Sequence, residues 1–255
     1  MRGPSGVLAL VLAETAAGAA AVLWLAPLWG SVKRGFFILT GAVAFGCSLL
    51  AALSLSAAGG RATLAWPAAV ATAGALGVSL AALLFRLDAT GRLFGFLSVA
   101  ASVVMLVGLA TAGGPSFPVA LFMLLAGAAF MGSVTDGLLL GHWYLTDRRL
   151  SREHIQRLSL LLIAAVALEI VAIVSGGFEG PPAPAAGFSA ILSVAGLTSW
   201  LAIGMAAATA LIAVLIRASL RGTRARAVQA ATGFFYLAVI TAFTAEMAAK
   251  IGFLG

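Results

Sequence analysis

Eight apolar stretches, each as long as a helix that crosses a bilayer, fill almost the entire chain. They run approximately over residues 6–29, 35–58, 63–85, 91–113, 117–145, 156–176, 187–216 and 227–253. A helix rises about 1.5 Å per residue and the hydrocarbon layer is about 30 Å thick, so ~20 apolar residues suffice to span it. Between the stretches stand Gly59-Gly60-Arg61, Gly113-Gly114-Pro115 and the glycine- and proline-rich run 176–182. Glycine frees φ and proline fixes it, so these segments turn the chain. The pattern predicts an all-α, polytopic integral membrane helix bundle, with residues 1–255 forming a single transmembrane domain. Composition supports a lipid solvent. The chain is 62% hydrophobic and 9% charged, against roughly 45–50% and about 25% in a soluble domain.

The first stretch begins like a signal peptide, with Arg2, a short apolar run and small residues after it. Glu14 interrupts that run and the apolar character continues to Trp29, so it is read as a true span. The second and third spans lie close enough to form a tight helical hairpin. No tandem repeat is visible, and the only biased segment is a Pro/Ala/Gly loop near 180–187.

The 15 basic and 8 acidic residues give a net charge of +7. In a soluble chain this would suggest nucleic acid. Here the bases sit at span ends, which points to membrane orientation and to no nucleic-acid partner. The odd-numbered loops hold Lys33, Arg34, Arg86, Arg92, Arg148, Arg149, Arg152, Arg157, Arg217, Arg221, Arg224 and Arg226, whereas the other side holds only Arg2, Arg61 and Lys250. The positive-inside rule therefore puts the odd loops in the cytoplasm and both termini outside. A multi-pass protein of a cell membrane, of the bacterial inner-membrane kind, is expected. Arg148, Arg149, Arg152 and Arg157 read as cytoplasmic anchors, and their loop is also suited to docking other membrane or soluble subunits, or anionic lipid. Ser151 is the expected N-cap of the sixth span, with Glu153 in its first turn. His154 then falls at the water interface and is expected to be solvated.

Catalytic signatures are absent. Cys47 is alone, with no disulfide framework and no CxxC pair. The sequence holds no HExxH, GxSxG or P-loop pattern, so no catalytic residue and no metal site are assigned. The two histidines, His142 and His154, flank one inner loop and cannot bracket a haem iron at mid-bilayer. Haem is not expected.

The unusual chemistry lies in four acids within spans: Glu14, Asp136, Glu169 and Glu246. An ionisable group in mid-bilayer costs at least ~2.5–3.5 kcal/mol on insertion scales and normally faces the bundle interior. Counting along each span puts Glu14 about 12 Å, and Glu169 and Glu246 about 10 Å, from the outer face. The three glutamates thus share one layer, where they form a common site if their helices are neighbours, or bond separately to adjacent helices if not. Lys250, one turn after Glu246 on the same face, is the only nearby base. Each glutamate is set among small residues that permit close helix contact.

Asp136 lies in the inner half, beside the Gly137–Gly141 GxxxG spacing. Ser133 and Trp143 share its face, whereas His142 points about 120° away, so Asp136 and His142 do not form a catalytic pair. In a transmembrane relay, Asp136 would be the inner station and the glutamates the outer one. His142, Trp143 and Tyr144 offer a hydrogen-bond donor and flat aromatic surface at the depth of a quinone headgroup. Trp143 and Tyr144 also fit an ordinary interfacial aromatic belt.

Three functional classes are compatible with these features. The first is a non-catalytic membrane subunit of a redox or respiratory complex, contacting quinone or relaying protons through buried carboxylates. Its eight-helix layout with outside termini is similar, in topology alone, to the membrane anchors of molybdenum-enzyme-type reductases. The second is a small ion- or proton-coupled transporter, although Pro27 and Pro67 lie near span ends and break no helix at mid-membrane. The third is a structural or assembly protein without a ligand.

Overall fold

The computed structural model describes residues 3–26, 32–111, 115–147, 150–176, 194–221 and 226–254. Eight helices account for nearly all of them: α1 (Gly3–Leu25), α2 (Arg34–Ala57), α3 (Ala65–Leu84), α4 (Asp88–Ala110), α5 (Phe117–Thr146), α6 (Glu153–Ser175), α7 (Val194–Leu220) and α8 (Ala227–Leu254). All eight are long and apolar enough to cross a membrane, so the chain is a polytopic, all-helical membrane protein. No strand occurs among the described residues. Each helix matches one expected span, with ends within a few residues except at the seventh, whose expected start at 187 lies outside the described residues. The expected end of the first span, the Pro/Ala/Gly loop, Arg2, Arg148, Arg149 and Arg224 lie outside the described residues.

Sequential helices pack as neighbours, α1 to α4 closing one four-helix ring and α5 to α8 a second. The contact pattern repeats when each helix number is raised by four: α1·α2 corresponds to α5·α6, α1·α4 to α5·α8, and α1·α8 to α4·α5. The two halves meet mainly through α1 and α5. The duplication is one of topology, without a matching sequence repeat.

Glycine sets the closeness of that junction. A methyl group added at Gly18 would lie 1.8 Å from the Ala128 carbonyl oxygen, and one at Gly132 would lie 2.3 Å from the Gly18 carbonyl carbon. Backbone therefore touches backbone where α1 crosses α5, as small residues allow in membranes. The expected GxxxG face is also in use, with α8 as its partner. Gly137 lies against the Phe235 ring and Gly141 against Thr232.

The expected hairpin between α2 and α3 closes through a 3₁₀ turn, Gly60–Ala62, preceded by Gly59 at φ 76°. That left-handed conformation is open to glycine and strained for most other residues. The bundle then buries two apolar layers. One, around Leu10, Leu55, Met105 and Leu124, lies toward the chain-terminal face. The other, around Trp24, Phe36, Phe130 and Phe235, lies toward the arginine-rich face. Each draws residues from both halves. Large apolar side chains such as Leu53, Leu84, Leu211 and Ile240 are exposed on the outside, as a surface bathed in hydrocarbon requires.

Two features of the α5–α6 connection differ from expectation. The α6 helix starts at Glu153, with Arg152 at the cap position. Ser151 still accepts the Glu153 N–H at 3.3 Å, so the serine acts one position farther out. His154 is buried, not solvated. It shares the inward stripe of α6 with Ile155 and Leu158, and the bundle covers the helix from its first turn. On the same face Lys33 pairs with Asp147 at 2.8 Å and Arg34 with Asp88 at 2.9 Å. Through these pairs the start of α2 is tied to the end of α5 and the start of α4. Such partly exposed pairs contribute about 0–1 kcal/mol each.

Candidate functional site

The three span glutamates and Lys250 come together. Lys250 and Glu246 occupy successive turns of α8, so one face carries both. Glu14 reaches them from α1, because α1 packs against α8 as well as α5. Lys250 Nζ lies 2.8 Å from Glu14 Oε1 and 3.1 Å from Glu246 Oε2. These are ion-pair distances without the directionality of hydrogen bonds. Glu169 of α6 closes the group, with its carboxyl beside that of Glu246 and within electrostatic reach of Lys250 and Glu14. Glu14, Glu246 and Lys250 are wholly buried, and Glu169 is 1% exposed.

Gly127 of α5 makes room for this arrangement. A methyl group there would stand 2.5 Å from Glu14 Oε1. The site thus takes one carboxyl from the first half, and two carboxyls, a lysine and a glycine from the second. Measured along their helices, Glu14, Glu169 and Glu246 lie about 9 to 17 Å from the ends opposite the arginine-rich face. Three carboxyls face one ammonium, so full ionisation would leave two negative charges unbalanced in a dry interior. Burial of unpaired charge is prohibitive. The arrangement can therefore hold protons, with Lys250 as a fixed counter-charge.

The surroundings of the cluster differ on its two sides. Toward the chain-terminal face is a cavity of about 40 Å³ whose lining includes Met123, Ile173, Gly176, Ser199 and Phe253. Met123 is one turn beyond Gly127, Ile173 one turn beyond Glu169, and Phe253 just past Lys250. Toward the arginine-rich face, Phe130, Val166 and Ala242, each about one turn from Gly127, Glu169 or Glu246, form an apolar barrier with exposures of 0–1%.

Asp136 stands beyond that barrier, about 14 Å along α5 from Gly127. It is fully buried, and neither carboxyl oxygen has a hydrogen-bond partner among the described residues. Ser133, on its face, turns its hydroxyl back to the Phe130 carbonyl at 2.9 Å. The structure does not bring Asp136 to the glutamates.

His142, Trp143 and Tyr144 diverge. His142 is exposed, on a different face from Asp136. Trp143 is half-buried, its indole against Gly35 and edge-on to Phe36 with centroids 6.5 Å apart. Tyr144 is buried and donates its hydroxyl to the Ser151 carbonyl. Both rings are engaged in packing between elements. Arg157 pairs with Glu153 at 2.5 Å on the helix surface, and Arg152 borders a cavity at the α5–α6 connection.

Two site residues escaped the candidates drawn from the sequence. The sequence marks Lys250 as the neighbouring base, not as the hub. Its i,i+4 spacing from Glu246 in an otherwise apolar helix was the available signal. Gly127 carried none, since it is one glycine among 30. No protein-family model, no curated protein and no solved structure matches this chain.

Proposed function

We propose that this protein handles protons in the membrane, taking them up and releasing them at a buried carboxyl–lysine centre on the side of the face opposite the arginines. The observation that carries this reading is that Glu14 and Glu246 both pair with Lys250 while the Glu169 carboxyl lies beside that of Glu246. A structural ion pair needs one acid per base. The two further carboxyls give the site protonation states to exchange, and the small cavity about one turn beyond them marks the side on which we place that exchange.

The setting we favour is a membrane subunit of a redox or respiratory-type assembly in the cell membrane, with the arginine-rich face in the cytoplasm. The apolar barrier between the cluster and Asp136 supports exchange at one face over a continuous relay, and Asp136 is left out of the path. Of the three residues considered for a quinone headgroup, only His142 is presented outward, so quinone contact is not part of this proposal. A proton-coupled carrier is the second reading. It is favoured by the position of the cluster across two topologically repeated halves, where carriers place their sites.

The test uses the full chain in liposomes with a pH-sensitive dye inside, and in native membranes with its partners. Glu169→Gln is expected to reduce protein-dependent proton movement at least about tenfold, whereas Asp136→Asn leaves it within about twofold. Activity of the protein alone in liposomes identifies the carrier, and activity only with partners identifies the subunit. Proton movement indifferent to Glu169→Gln in both settings overturns the proposal.

A further inference from the structure

A second polar feature lies at the arginine-rich face, remote from the glutamates. Tyr144, Leu150, Arg152, Arg226, Val228 and Gln229 border a cavity of about 300 Å³. It lies between the end of α5, the loop into α6 and the first turn of α8. Arginine side chains reach it from two separate connections, and Gln229 adds an uncharged donor. The first turn of α8 contributes as well. Ala230 donates its N–H to the Arg226 carbonyl at 3.0 Å, so the N–H groups of Ala227, Val228 and Gln229 precede the first intrahelical bond.

No acidic residue occupies that turn, and none among the described residues borders the cavity. Nearby, Asp147 pairs with Lys33 at 2.8 Å and Glu153 with Arg157 at 2.5 Å. The cavity therefore concentrates positive potential and N–H donors at the level where lipid headgroups lie. Tyr144 and Leu150 supply an apolar wall. Paired guanidinium groups with a helix start match the charge and acceptor geometry of a phosphate. Basic pockets between helices at this depth are suited to anionic headgroups.

We propose that this cavity binds a phosphate group, presented either by an anionic phospholipid or by soluble phosphate. Arg152 and Arg226 hold the anion, while Gln229 and the α8 N-terminus donate to its oxygens. The site is independent of the proton-handling centre, and its test does not read proton movement.

The experiment is thermal unfolding of the purified full chain in neutral detergent, titrated separately with phosphatidylglycerol, phosphatidylcholine and inorganic phosphate. Phosphatidylglycerol is expected to raise the midpoint saturably, with phosphatidylcholine far weaker. Arg152→Gln/Arg226→Gln should weaken the apparent affinity at least about tenfold, since each lost bond to a charged group is a substantial share of binding. Arg226→Gln alone, at an exposed position, should weaken it severalfold and serves if the double variant does not fold. Arg86→Gln, on another loop of the same face, should leave it unchanged. Stabilisation by inorganic phosphate that the Arg226 variants abolish assigns the site to soluble phosphate. Stabilisation by phosphatidylglycerol alone assigns it to lipid. Equal stabilisation of the wild type and Arg226→Gln by every probe, or no stabilisation by either anionic probe, overturns the proposal.

Discussion

Lys250→Met is expected to destabilise the folded protein by about 3–5 kcal/mol, the range for removing one partner of a buried ion pair. Lys250 is wholly buried with Glu14 Oε1 at 2.8 Å and Glu246 Oε2 at 3.1 Å. Methionine replaces its length and apolar stem but leaves the carboxyls without a counter-charge. The loss also reaches across the molecule, because Glu14 belongs to the first half and Lys250 to the second. Lys250→Met/Glu14→Gln/Glu246→Gln should recover most of the lost stability, since all three changes keep volume and remove charge together. It should not recover proton movement. Denaturant-induced unfolding in detergent measures both results. A single variant within about 1 kcal/mol of wild type would show that the lysine is not the counter-charge of the cluster.

Gly18→Leu is expected to separate the two halves where they touch. Overpacking a tight core typically costs about 1–3 kcal/mol, occasionally more, and this site belongs at or above the top of that range. The obstacle is backbone: even a methyl at Gly18 meets the Ala128 carbonyl oxygen at 1.8 Å and the Gly132 nitrogen at 2.8 Å. No rotamer of a neighbour can relieve that clash, so α1 must move away from α5. Glu14 is one turn from Gly18 and would move with it, away from Lys250. Loss of folded yield should therefore be accompanied by loss of proton movement in whatever folds. Gly204→Leu provides the comparison, because a side chain there enters open space. It should change stability by no more than about 1 kcal/mol. Equal tolerance of both leucines in thermal unfolding would remove the helix crossing as the determinant of the cluster.

The two glycine contacts explain how much of this molecule could be read from its residues. The helices were legible because length and hydropathy alone decide whether a segment spans hydrocarbon, and every span was found. Depth was legible too. Counting residues from the span ends placed Glu14, Glu169 and Glu246 in one layer, and they meet there. Their meeting was not legible, because it depends on α1 packing against α8 across the junction. That contact depends on register between distant helices, which is set by Gly18, Gly127 and Gly132. Helices that are apolar or small on every face, as α1 is around Ala13–Ala21, carry little periodic signal of which side faces which neighbour.

The same limit accounts for the misreading of His154. A polar residue in the first turn of an amphipathic exit is ordinarily solvated. Here His154 shares the inward stripe of α6 with Ile155 and Leu158, and the Tyr144 hydroxyl donates to the Ser151 carbonyl just before that helix. The contact links residues seven apart around a turn that no motif announces. By contrast, the GxxxG spacing at Gly137 and Gly141 gave a correct packing face, since small residues one turn apart on a membrane helix have few other uses. Its partner, α8, became evident only in the fold.

The central claim is that the Glu14–Glu169–Glu246–Lys250 cluster holds protons that it exchanges with the medium. Infrared difference spectroscopy of the purified protein, recorded across a pH step in H₂O and in D₂O, measures this directly. The account predicts a protonated-carboxyl C=O band that shifts in D₂O, is lost or displaced in Glu169→Gln, and persists in Asp136→Asn. A spectrum without an exchangeable carboxyl band, or one that Glu169→Gln leaves unchanged, would contradict it.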